Sequence, residues 1–343
     1  MIRAVMVAPG AIELQEVPVR DPGPNEVLVK VKACGICTWE QRFYRGIEGS
    51  YPFLGGHEIA GEVVSVGGQV AEKLYPGQKV AVASLTRCGE CYYCRRGLDH
   101  LCANAGEKST PGEYWGPAGF AEYIIARGYE VYPLDDTVDP VHATFAEPLA
   151  CVTKSINRGN LRFGDTAVIL GAGVMGLLHL KLARLRGARV IISEPDAARR
   201  EKALHLGAIA AIDPRQEDLP GRVKELTSGR GAEAVFFTAG GTPALAEGTK
   251  LLVKGGTLVV YGSIHPAVPL DLNPNDLHYD EYTLTGSIRH DKESFRQATA
   301  LLSAGIVDVR DLISACFPFK EIDAAFKEAI RPETFRVVLT FTN

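Results

Sequence analysis

The sequence predicts an α/β chain: a doubly wound parallel sheet joined to a β-rich region that precedes it. Three observations carry that reading. Before about residue 150, short alternating runs are punctuated by Pro and Gly. After about residue 154, continuous apolar runs alternate with stretches at helical spacing. A Gly-rich turn sits between one such run and the stretch that follows it. At roughly 100–200 residues per domain, the 343 residues suggest two domains.

The first half justifies the β-rich region. Met1 to Ala8 alternates like a strand and carries a single charged residue, Arg3, without the length or layout of a signal peptide. Val27, Val29 and Val31 alternate with Lys30 and Lys32, Leu28 being the exception. Further β-like runs follow at Ile59–Val66, Lys79–Ala83 and Glu122–Ala126, separated by breaks such as Pro22-Gly23-Pro24, Pro76-Gly77 and Pro117 to Gly119.

The second half justifies the parallel sheet. Thr166–Leu170 is apolar throughout, as expected of a strand buried on both faces. Val174, Leu177, Leu178, Leu182 and Leu185 then recur at helical spacing. Strands are expected at Arg189–Ser193, Ala208–Ile212, Ala234–Thr238 and Thr257–Tyr261, with helices at Pro195–Leu206 and Pro243–Val253 between them. Helices at Ser294–Ala304 and Glu321–Ile330 and a closing strand at Arg336–Thr340 lie beyond that pattern.

Bulk composition excludes several classes. Hydrophobic residues make up 46% and charged residues 23%, which fits a globular protein with a large core. A net charge of -4, from 37 basic and 41 acidic residues, argues against a nucleic-acid surface or a basic membrane face. No apolar window approaches the length of a membrane span, and a cytoplasmic location is expected. In that compartment the 8 cysteines point to metal or catalysis before disulfides.

Gly171-Ala172-Gly173-Val174-Met175-Gly176 follows an apolar strand and opens an apolar-striped helix. In that context the pattern reads as a Rossmann-type dinucleotide turn. The first glycine permits the tight turn, the second lets backbone approach the pyrophosphate, and the third lets helix and strand pack closely. The helix start offers free N–H groups to phosphate. Glu194, at the end of the next strand, suits the ribose hydroxyls of NAD and repels a 2′-phosphate; Arg199 and Arg200 close behind keep NADP open. Thr238 and Gly262, at or just past the ends of later strands, join the candidate cofactor contacts, because ligands bind outside the carboxyl ends of such strands.

Two cysteine-bearing sets point to metal. Cys88, Cys91, Cys94 and Cys102 have a spacing that can close a tetrahedron of thiolates round Zn²⁺, with no position left for substrate. The lobe between them lacks a core of its own, so an ion would hold it folded; an iron–sulfur cluster is the rival occupant. Cys37, His57, Glu58 and Glu147 are scattered. A thiolate, an imidazole and a carboxylate on separate segments are nevertheless what an open, catalytic zinc needs.

With these pieces in order, the chain resembles the zinc-containing medium-chain dehydrogenase/reductases, particularly the sorbitol and threonine dehydrogenase-like branch. The matching pieces are Gly35-Ile36-Cys37, Gly56-His57-Glu58, the four-cysteine lobe, Glu147-Pro148-Leu149, Gly171 to Gly176, Lys254-Gly255-Gly256, Gly286-Ser287 and Val337-Val338, spread over essentially the whole chain. The resemblance implies a GroES-like catalytic domain at 1–153 that includes the lobe at about 88–102. It also implies a dinucleotide-binding domain at 154–288 and a segment at 289–343 that returns to the catalytic domain. It makes Cys37 and His57 zinc ligands, Glu147 the carboxylate reaching the metal directly or through water, and Glu58 an outer or alternate ligand. Ser287 and Arg289 fall where the family approaches the cofactor, and a homotetramer or homodimer is implied. Cys34 and Cys151 read as packed residues.

One departure stands out. Where the family places Ser or Thr, then Asp, then often His after the zinc cysteine, this chain has Trp39, Glu40 and Arg42. The usual proton relay is thereby in question, with Thr38 or Glu40 as substitutes. The remaining histidines, His290 among them, show no metal spacing and read as structural or solvated.

The chemistry expected is hydride transfer between a secondary alcohol, polyol or amino alcohol and NAD. Zinc polarises the oxygen, and Glu58, Glu147 or a bound water takes the proton, in a cleft between the two domains. Two rivals stand: an NADPH-dependent ketone or aldehyde reductase, and a catalytically impaired zinc-binding relative.

Overall fold

The computed structural model describes residues 1–105, 114–270 and 272–341. The chain falls into two compact units, Met1–Ala150 with His290–Asn343, and Cys151–Arg289.

The first unit is built on β-sheet. Ile2–Ala8 and Ala11–Glu16 pair antiparallel as a hairpin. A seven-stranded sheet runs in the order Ile313–Pro318, Arg336–Thr340, Glu26–Ile36, Glu58–Val66, Lys79–Ala83, Val131–Pro133, with Tyr123–Arg127 paired to Glu26–Ile36 off that path. Alternation explains the inward face: Val27, Val29 and Val31 are fully buried in one core with Val80, Val82, Phe53 and Phe326. Register decides where chemistry falls. Gly35 stands opposite Glu58 on one side and Val338 on the other. A Cβ at Gly35 would lie 2.1 Å from Glu58 Oε2, so the bare backbone there makes room for the carboxylate.

The second unit is a six-stranded sheet, every neighbouring pair parallel. Its order is Ala210–Ile212, Arg189–Ser193, Thr166–Leu170, Ala232–Phe237, Leu252–Val260, Thr283–Gly286. Sequence order reverses beside Thr166–Leu170, the switch point where such sheets bind ligands. Thr166–Leu170 is buried along its length, and the helix Val174–Leu185 covers it with Leu177, Leu178 and Leu180.

The structure revises some expected elements. The helix expected at Pro243–Val253 spans Gly241–Gly248, then tightens into a 3-10 turn, Thr249–Leu251. Leu252 is already strand and pairs with Ala232, so ladder hydrogen bonds override the helical spacing. The helix expected from Pro195 begins at Ala197, because the Asp196 side chain accepts the Arg199 amide at 2.9 Å and caps it. The helices Thr38–Tyr44, Ala146–Arg158 and Leu219–Leu226 were not anticipated. No helix among the described residues is long and apolar enough to cross a membrane.

Candidate active site

In the first unit, strand ends and helix starts bring the scattered set together. Cys37 follows the strand Glu26–Ile36 and caps the helix Thr38–Tyr44. His57 precedes the strand Glu58–Val66, and Glu147 lies in the first turn of Ala146–Arg158. Ligand atoms of Cys37, Glu40 and His57 lie within 4.8 Å of one another, as do those of His57, Glu58 and Glu147.

Glu40 explains the orientation of His57. Its side chain is fully buried, and its Oε1 accepts His57 Nδ1–H at 2.6 Å and the Gly56 amide at 3.0 Å. That bond places the proton on Nδ1 and leaves the Nε2 lone pair free for an ion, the carboxylate–imidazole arrangement that sets metal-binding histidines. Nε2 stands 4.0 Å from Glu147 Oε2. Thr38 is exposed in the same helical turn. Trp39 packs its indole edge-on to His57, 5.6 Å between ring centres, and Arg42 pairs with Glu48 at 3.2 Å, away from the ligand set.

Glu58 is tied differently. Arg336 Nη2 lies 2.9 Å from Glu58 Oε1, and both side chains are almost wholly buried. Burial pushes the Glu58 carboxyl up to about 7 against the opposing attraction of Arg336. For His57, burial works to lower the imidazolium, yet the charges of Glu40 and Cys37 overcome it and hold its pKa well above the usual value. The cluster thus draws positive charge to itself. With a soft sulfur, an imidazole lone pair and a carboxylate facing one another, its donors fit a zinc ion.

The four-cysteine lobe fits a second ion. All four sulfurs lie within 4.8 Å of one another, with Cys88 and Cys102 3.6 Å apart and Cys91 and Cys102 4.0 Å apart. A tetrahedron with Zn–S bonds of about 2.3 Å has S···S edges of ~3.8 Å. Backbone amides, that of Cys94 foremost, hold the Cys91 thiol down at about 6, while burial pushes the Cys94 thiol up to about 12.

In the second unit the glycine turn leaves Thr166–Leu170 with Gly171 at φ 103°, a conformation side-chain-bearing residues avoid. Gly173 caps the helix Val174–Leu185, so the amides of Val174, Met175 and Gly176 lie in its first turn, where N–H groups have no helical partner. Glu194 is buried, and its carboxylate accepts Ala172 N–H at 2.7 Å and Asp196 N–H at 3.0 Å. It therefore braces the turn as well as standing at a strand end, and a carboxylate retains lone pairs for further donors. Arg199 Nη1 comes within 3.7 Å of where a Cβ on Gly173 would sit, whereas Arg200 is engaged with Asp213 at 3.1 Å. Thr238 Oγ1 donates to Leu170 O at 2.7 Å, and Gly262 packs against the Thr238 carbonyl. Ser287 Oγ is buried without a hydrogen-bond partner among the described residues, an orphaned hydroxyl that fits a bound polar ligand. Arg289 is exposed, with φ 57°.

Sequence reasoning passed over two residues. Arg336 is remote in the chain from Glu58, and the strand pattern around it gave no charge signal. His290 lacks metal spacing, yet its Nε2 lies 3.9 Å from Glu147 Oε1.

Comparison with known proteins is consistent along the chain. The family described as alcohol dehydrogenase GroES-like domain matches residues 23–136, and the family described as zinc-binding dehydrogenase matches residues 174–304. An L-threonine 3-dehydrogenase of Pyrococcus horikoshii is 33% identical over 98% of this chain and 98% of its own. A sorbitol dehydrogenase of Halalkalibacterium halodurans is 32% identical over 96% of each. A crystal structure of a zinc-binding dehydrogenase from Sinorhizobium meliloti, bound to NADP, superposes with a TM-score of 0.89 at 30% identity, covering 99% of this chain and 98% of that one.

Proposed function

The chain belongs to the zinc-containing medium-chain alcohol dehydrogenase superfamily, and from that premise we propose that it oxidises a secondary hydroxyl of a polyol or amino alcohol with NAD. The observation that carries the reading is that His57 belongs to two ligand sets at once, one with Cys37 and Glu40 and one with Glu58 and Glu147, with Glu40 fixing the imidazole tautomer. Substrate chemistry is assigned to the unit of Met1–Ala150 with His290–Asn343, and the dinucleotide to the unit of Cys151–Arg289.

Cys37 Sγ, His57 Nε2 and a Glu147 oxygen would hold the open-site ion; Cys88, Cys91, Cys94 and Cys102 would hold the structural one. When bound, zinc supplies Lewis acidity toward the substrate oxygen and the dinucleotide supplies the hydride acceptor. Glu40 keeps Nδ1 of His57 protonated, so Nε2 is the nitrogen left to give its lone pair to an ion. The pairing of Glu58 with Arg336 supports Glu147 as the carboxylate that takes the hydroxyl proton. The amides of the turn at Gly171 to Gly176 would meet the pyrophosphate, and Glu194 the adenosine ribose, which supports NAD over NADP. A homo-oligomer, tetramer or dimer, goes with this reading.

Initial rates over a panel of polyols and amino alcohols, each with NAD and with NADP, test it. Oxidation with NAD and two zinc ions per chain are expected. Preference for NADP would shift the assignment to Arg199 beside the turn and to a reductase. A single zinc, with no turnover of any substrate, would favour the impaired relative.

A further inference from the structure

His290, at first sight one more buried histidine, is caught between the cysteine lobe and Glu147. Arg87 immediately precedes Cys88, and Asp99 lies between Cys94 and Cys102. Arg87 Nε pairs with Asp99 Oδ2 at 2.9 Å, and Arg87 Nη1 donates to Leu85 O at 2.9 Å. The backbone of Arg87 is clamped as well: its N–H donates to Tyr129 Oη, and its carbonyl accepts from the same hydroxyl, both at 2.9 Å. The guanidinium is thereby fixed, and its Nη2 faces His290, donating to the carbonyl oxygen at 3.0 Å and meeting ring Nδ1 at 3.3 Å.

A guanidinium can only donate. The ring nitrogen it meets must therefore accept, which puts the imidazole proton on Nε2. That nitrogen lies 3.9 Å from Glu147 Oε1, while Glu147 Oε2 lies 4.0 Å from His57 Nε2. The Glu147 carboxylate thus stands between a donor on one oxygen and a metal ligand on the other. Arg87 and His290 are each under 5% exposed, so solvent competes little for these contacts.

We propose that His290 is a positioning residue: its Nε2–H faces Oε1 of Glu147 across 3.9 Å and by that attraction keeps Oε2 turned toward the ligand set, and the cysteine lobe sets the ring through Asp99 and Arg87. This rests on the reading of Cys37, His57 and Glu147 as an open zinc site. It makes the structural lobe part of the apparatus that aims the catalytic carboxylate, beyond holding its own loop together.

The test is release of zinc from the full-length protein to a chromogenic chelator, which resolves two ions by rate, together with the visible spectrum after cobalt replaces the open-site ion. In His290→Leu the faster-released ion should leave roughly 10–100-fold faster, the cobalt bands should shift, and release of the lobe's ion should be unchanged. His290→Gln, whose amide offers an N–H near the place of Nε2, should restore release to within about threefold of the parent. Arg87→Lys keeps the charge without the planar fork and should fall between the two; it also serves if His290→Leu does not fold. Parental release and spectrum in the leucine variant, or in Arg87→Lys where that alone folds, overturn the proposal. Acceleration of both ions alike overturns it too, since that is a general loosening. A parent protein that yields only one ion instead overturns the open-site reading on which the proposal rests.

Discussion

Removing Arg336 should damage the fold far more than removing its partner as well. The Arg336 and Glu58 side chains are 2% and 1% exposed, and they meet at 2.9 Å. Arg336 Nη1 also donates to Ile36 O at 2.8 Å. In Arg336→Met the apolar stem is replaced, but a buried carboxylate loses its counterion, at a cost of about 3–5 kcal/mol. The Ile36 carbonyl loses a donor, adding about 1 kcal/mol. At roughly 2–4 °C per kcal/mol for a domain of this size, the midpoint should fall by about 8–24 °C. Glu58→Gln with Arg336→Met removes both charges, and should recover all but about 1–2 kcal/mol. Scanning calorimetry of the parent, both single variants and the double variant completes the cycle. If Arg336→Met costs less than about 1 kcal/mol, or the double variant is no more stable than it, then burial of the pair does not have the consequence argued here.

Three further outcomes are expected. Gly176→Ala puts a Cβ 2.0 Å from Gly171 O; the turn must open, and titration of NADH fluorescence should show binding weakened at least tenfold, roughly 1.4 kcal/mol or more. Glu40→Leu should weaken zinc at the open site by roughly 10–100-fold while Glu40→Gln, which still offers Nδ1–H an acceptor, loses less; competition with a chelator measures both. His179 is buried with Nδ1 on Met175 O at 2.7 Å and Nε2 on Ser155 Oγ at 2.8 Å, and burial pushes its pKa down to about 4. Its unfolded value is about 6.5, so the unfolded chain takes up the proton first on acidification. Stability is full above about pH 6.5 and declines as pH falls toward 4, by roughly 2 kcal/mol at pH 5; in urea melts followed by circular dichroism, His179→Gln should flatten that slope.

Much of the second unit was legible because its signals are local. The strand Thr166–Leu170, the helix Val174–Leu185 and the strand Arg189–Ser193 fall where apolar runs and spacing put them, and each is decided by its own dozen residues. Leu252 was misread for the same reason: nothing within the run says that Ala232 waits to pair with it. The site divides likewise. Cys37 and His57 stand out by residue type and flanking glycines, but the bond from Glu40 to His57 depends on a helix turning one residue back across a strand end. Arg336 and His290 are brought in by segments far along the chain, through sheet pairing and the Arg87 clamp, and no short pattern carries that.

The indole at position 39 gives the protein its own optical gauge. Both tryptophans of the chain belong to one unit and touch each other, 5.8 Å between ring centres, and the inner one leans on the imidazole of His57. Ultraviolet emission therefore originates beside the place where the ion is gripped. Filling or stripping that place should alter brightness and colour without any added dye.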